Sequence, residues 1–141
     1  MASERSLATY LLREVRASNK KNLQSDLEWI ARSLGLVEMR DRRKSAMRIF
    51  RTLVKIASEE KSLGSNQVSN QVRLSRGTVV SHLNRMMASG LVIRQDGKYE
   101  LRMRSVEKTV DEVEKDICRV LQNVKEIARD VDYRLGLLYR E

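Results

Sequence analysis

Apolar residues recur at helical spacing along most of this chain, and polar interruptions cut it into blocks. The first block predicts a helix from about Arg5 to Ala17, with Leu7, Leu11 and Val15 on one stripe and Ala8 and Leu12 beside it. A polar break at residues 18–22 follows. Ser25-Asp26-Leu27-Glu28 has the spacing of a capping box, in which the serine hydroxyl accepts from the N3 amide and the glutamate reaches back. Leu27, Ile30, Ala31 and Leu34 continue that helix, and Gly35 suits a left-handed stop. A third helix is expected to start near Glu38 or Asp41 and to end around Glu60. Its Met47, Ile49, Phe50, Leu53, Val54 and Ala57 form the wide stripe of a central core helix.

The pattern then shortens. Ser65 is the expected N-cap of a helix from Asn66 to Arg73 with Val68 and Val72 inward; Leu74 packs at a tight turn, and Ser75 caps the next helix. Between Ser75 and Gly90 the residues Val79, Leu83 and Met86 make one buried stripe. The opposite face carries Gly77, Thr78, Ser81, Asn84 and Arg85, with Arg76 in the first turn. Leu91 to Arg94 reads as a strand, Asp96-Gly97 as a two-residue hairpin turn, and Tyr99 to Met103 as the return strand. Two helices joined by a tight turn and followed by a hairpin make a winged helix-turn-helix. Its second helix has the width to enter the major groove of B-DNA, where small and polar side chains can reach bases and phosphates.

From Ser105 to about Tyr139 the pattern changes to a long helix. Val106, Val110, Val113, Ile117, Val120, Val124, Ile127 and Val131 alternate at spacings of four and three, a heptad seam. Leu121, Ala128 and Leu135 widen it, so two neighbours are expected: the same helix of a second subunit and an N-terminal helix. The bland reading is packing on its own domain alone. Three segments follow from these patterns: an N-terminal helical extension at 1–44, a DNA-binding domain at 45–104 and a dimerisation helix at 105–141.

Charge sharpens this picture. The formal net charge is +9, but residues 105–141 hold seven Lys/Arg against nine Asp/Glu, leaving the rest of the chain at +11. A basic body suits a polyanion, and a mildly acidic tail suits a protein partner. The absence of proline and the six glycines fit a mainly helical fold. One cysteine, Cys118, and one histidine, His82, leave no disulfide and no cysteine-built metal site. No apolar run approaches the ~18 residues of a membrane span, so a cytoplasmic protein is expected.

The run Leu74-Ser75-Arg76-Gly77-Thr78-Val79, then His82-Leu83 and Ser89-Gly90-Leu91-Val92, resembles the core signature of winged-helix transcription regulators of the MarR, ArsR and PadR groups. The resemblance covers roughly residues 45–104. It implies a three-helix core with a β-wing, a recognition helix at Arg76–Ser89 and a homodimer on a two-fold DNA site. Two positions depart from it. Arg73 stands where a small residue or glycine is usual before the turn, and Val80 puts an apolar group beside the reading face.

Arg76 and Arg85 are the leading candidates for base or phosphate contact, and Thr78, Ser81 and Asn84 for hydrogen bonds. Arg94, Lys98, Arg102 and Arg104 of the wing can reach flanking phosphates or the minor groove. Strand-end charges also serve solubility, and Lys20, Lys21, Arg40, Arg42, Arg43 and Lys44 read equally well as solvated helix faces. Cys118 has acidic neighbours, Glu114 and Asp116, that oppose a reactive thiolate. Trp29 reads as a core or rim residue. No glycine-rich phosphate loop and no nucleophile–base pair points to an enzyme. No cofactor is implied and no effector is specified. The expected partner is double-stranded DNA, bound sequence-specifically by a homodimer. A non-specific nucleoid- or replication-associated binder and a protein-interaction module remain open as alternatives.

Overall fold

Ile49, Phe50 and Leu53 are fully buried, which makes α2 (Ser45–Ser58) the central helix that its wide apolar stripe predicts. The computed structural model describes residues 8–17, 19–37 and 44–137. The expected helix start at Glu38 or Asp41, and Arg40, Arg42 and Arg43, lie outside them. Around α2 are packed α1 (Leu23–Ser33), α3 (Ser65–Val72), α4 (Arg76–Ala88) and a sheet of β1 (Leu63–Gly64), β2 (Val92–Gln95) and β3 (Lys98–Leu101). The long α5 (Val106–Leu135) follows. This is a winged helix-turn-helix within a mainly helical chain.

The wing is the expected hairpin with one strand added. β3 lies in the middle, antiparallel to both β2 and the two-residue β1, in the order β1-β3-β2. Asp96 and Gly97 both take positive φ (53° and 75°), as a tight hairpin turn of this hand requires. Leu63 pairs with Tyr99, so the start of the helix-turn-helix is stitched to the wing.

Two expectations fail at the N-terminus. Residues 8–17 are not helical; they run as an irregular strap over the domain. The strap's amides bond elsewhere: Thr9 N–H donates to the Ala88 carbonyl and Arg13 N–H to that of Ser33, each at 2.8 Å. Leu11 presses so closely on Gly35 that any Cβ there would collide with it, and Trp29 Nε1, on the rim, donates to the Val15 carbonyl at 3.0 Å. Helix α1 begins earlier than the capping-box pattern implies. Asn22 is its N-cap, accepting from Ser25 N–H at 2.8 Å. Asparagine caps as well as serine, and it stands three residues upstream.

Helix α5 divides into two parts. Val106, Val113 and Ile117 pack on the chain's own core, and Thr109 and Asp116 are buried with them. These three seam residues are therefore spent within the chain itself, and Val110 is half-buried. Val120, Val124, Ile127 and Val131 are 46%, 58%, 65% and 46% exposed. Among the described residues no helix is long and apolar enough to cross a membrane.

Candidate nucleic-acid interface

The helix-turn-helix is built by local bonds that the sequence supplies at each joint. Gly64 N–H donates to Gln67 Oε1 at 2.9 Å, opening α3. Arg48 of α2 reaches across and donates to the Val72 carbonyl at the end of α3. Arg73 then turns the chain in a left-handed conformation (φ 56°, ψ 46°), the requirement that its unusual identity raised. Ser75 closes the turn. Its Oγ accepts from Thr78 N–H at 3.2 Å and donates to Thr78 Oγ1 at 2.8 Å, capping α4.

Helix α4 is seated as its periodicity predicts. Val79, Leu83 and Met86 are buried, while Arg76, Gly77, Ser81, Asn84 and Arg85 are exposed and Thr78, Val80 and His82 are half-buried. Arg76 Nε lies 3.3 Å from Ser65 Oγ, which holds that side chain between the first turns of α3 and α4. Gly77 has no neighbour within 4 Å of where a Cβ would stand, so the first turn presents open backbone. Helix α3 adds an exposed, uncharged amide row, Asn66, Gln67, Asn70 and Gln71, that periodicity alone did not single out.

The wing residues separate into two sets. Lys98 and Arg104 are exposed, as is Arg94, whose guanidinium lies 5.6 Å from the centre of the Tyr99 ring. Arg102 does not belong with them. Its guanidinium grips the buried Asp116 carboxylate, with Nη2 3.3 Å from Oδ1 and Nη1 on Oδ2, and Glu112 lies 3.9 Å away. The commitment of Arg102 to a buried carboxylate sets it apart from the exposed wing cations among which it was expected, and corrects its place in that set. The same carboxylate accepts from Tyr10 Oη at 3.1 Å and from Arg119 Nη2 at 2.9 Å. The Arg102 guanidinium above all holds the Asp116 carboxyl down at about 2, against the cost of burial, with Arg119 and Tyr10 adding to the effect. Tyr10 is raised in turn, first by burial and then by its bond to the carboxylate.

Electrostatics single out the same surface. From Lys61 to Gln95 the sequence holds no Asp or Glu, and its cations, Lys61, Arg73, Arg76, Arg85 and Arg94, are all exposed. Residues 44–58 likewise hold Lys44, Arg48, Arg51 and Lys55 and no acid. This acid-free run was legible in the sequence as a local charge count, which the whole-chain total conceals. Asp116 was not. It follows Thr109 and Val113 at spacings of four and three, but only the fold reveals that this row faces inward. Cys118 is exposed, and no cluster of metal-ligating side chains occurs among the described residues.

No family profile matches this sequence, and no curated protein does. Among solved structures the chain is similar to the crystal structure of ligand-free NadR, at 21% identity over 82% of this chain and 83% of that one, with a TM-score of 0.38.

Proposed function

We propose that this protein is a homodimeric, sequence-specific DNA-binding regulator that lays α4 in the major groove and carries out no catalysis. The observation that carries the reading is the outward face of α4: Arg76, Gly77, Ser81, Asn84 and Arg85 stand exposed on a capped helix within a stretch, residues 61–95, that holds no Asp or Glu. Thr78 and the Ser75 cap lie at its base. A protein whose surface must approach phosphates gains from excluding carboxylates there, because each would repel the duplex. The Leu74–Val79 and Ser89–Val92 runs accord with regulators of the MarR, ArsR and PadR type.

The homodimer rests on α5. A surface helix with Val120, Leu121, Val124, Ile127 and Leu135 all about half exposed or more leaves a long apolar stripe in water. Its heptad spacing suits a second copy of the same helix. Two modules joined in this way would reach two half-sites related by a two-fold axis.

The direct test is selection of bound sites from random DNA, followed by footprinting and equilibrium binding. Arg85→Ala should weaken binding to the selected site by roughly tenfold to a hundredfold, the value of one good base contact. Undiminished affinity would remove α4 from the groove. Equal affinity for the selected and random duplexes would instead mark a non-specific binder, and no binding to any duplex would mark a protein-interaction module.

A further inference from the structure

We infer that Asp116 is the positioning residue that sets the angle at which α5 leaves the DNA-reading domain, and through that angle the half-site spacing the dimer accepts. The inference rests on the dimeric DNA-binding reading above.

Asp116 stands where the long helix parts from its domain. Before it, α5 is bedded down: Thr109 and Val113 are buried, and Met103 N–H donates to Thr109 Oγ1 at 3.1 Å. Asp116, 5% exposed, is the last buried residue of the helix, and every residue from Cys118 to Val131 is exposed. At that exit the carboxylate is held by two parts of the chain outside α5 and by one neighbour on the helix itself. Arg102 comes from the end of the wing, Tyr10 from the N-terminal strap and Arg119 from the next turn of α5. Gly90, at the end of the recognition helix, lies directly beneath. A Cβ there would stand 3.3 Å from both Arg102 Nη1 and Asp116 Oδ2 and 3.5 Å from the Tyr10 ring.

Forked guanidinium–carboxylate pairing fixes direction as well as distance. Nineteen residues of helix beyond Asp116 extend about 28 Å, at 1.5 Å per residue. A tilt of about 10° at the joint would therefore move the far end by about 5 Å, more than the ~3.4 Å rise of one base pair. Small angular freedom at Asp116 is thus enough to blur which spacing two coupled modules can read. Burying a carboxylate costs stability, and a plain apolar contact would have held the helix on its domain without fixing its direction.

The test uses the full chain and a site selected from random DNA by the wild-type protein, together with versions of that site whose centre is lengthened or shortened by one and two base pairs. The wild type should bind the altered spacings at least about tenfold more weakly, the value of a disrupted base contact. Asp116→Asn keeps the shape and removes the charge. With helix content and dimerisation verified, its discrimination should fall to about threefold or less. Should Asp116→Asn fail to fold, Tyr10→Phe removes one of the contacts made from outside α5 and should lower the discrimination part of the way. A merely structural role would lower the melting temperature and leave the ratio between spacings unchanged, and that result overturns the inference. A wild type indifferent to spacing overturns it too. A wild type that binds no duplex overturns the DNA-binding reading first.

Discussion

Arg73 bears a long, charged side chain on a backbone conformation that favours glycine. It stands exposed at the turn between α3 and α4, where phosphates would run if α4 lies in the groove as proposed. Left-handed backbone costs a non-glycine residue on the order of 1 kcal/mol. Arg73→Gly should therefore stabilise the domain by about 0.5–1 kcal/mol in urea unfolding, part of the relief being offset by the freer unfolded chain. The same change should weaken DNA binding and lower the salt slope by about one. A variant that gained stability at no cost in binding would show the strain to be without function. Asp116 makes the opposite kind of statement. Its carboxyl lies near 2 in the folded chain against 3.8 unfolded. The stability it contributes is thus fully present above about pH 4 and is lost as pH falls through 2. Asp116→Asn should remove roughly 1–2 kcal/mol at pH 7 and flatten the acid limb of the pH–stability curve. An unchanged acid limb would mean the ion pairs are not formed in solution.

Elements were legible wherever a local pattern and its burial agreed. The stripe of α4, its Ser75 cap and the Asp96-Gly97 turn all rest on interactions within a few residues, and they stand where the sequence places them. The strap is the counter-example. Leu7, Leu11 and Val15 have helical spacing, yet the strap spends its amides on Ala88 and Ser33. Ten residues extended reach about 33 Å, whereas as a helix they cover about 15 Å. The longer reach allows one segment to touch Gly35, the end of α4 and Asp116 together. Periodicity carries no information about such distant partners. In α5 the seam is real in spacing but divided in use, its first half covered by the chain's own core and its second half exposed. Val124→Glu with Ile127→Glu should abolish self-association in sedimentation and leave the midpoint of unfolding measured at low concentration within about 0.5 kcal/mol, since both positions are exposed in the subunit. Persisting dimers would place the interface elsewhere.

The whole molecule presents two surfaces of different character: a polar one of amides over α3 and of cations over α4 and the wing, and an apolar one along the distal half of α5. If the first is a phosphate surface, affinity should fall steeply with salt on any duplex, and the selected site should keep an advantage of about a thousandfold or more over random DNA. A slope near zero would show that the charge is decorative. The sequence by itself determined that α2, α3, α4 and α5 are helices, where the hairpin turns and which face of α4 is polar, because spacing, capping and turn geometry act over a few residues. Only the tertiary structure decided that the N-terminal block is a strap, that Arg102 serves a buried carboxylate and that the heptad seam divides at Asp116. Each of those outcomes depends on groups distant along the chain competing for the same amide, charge or apolar face, and a competition of that kind is settled only when the chain has folded.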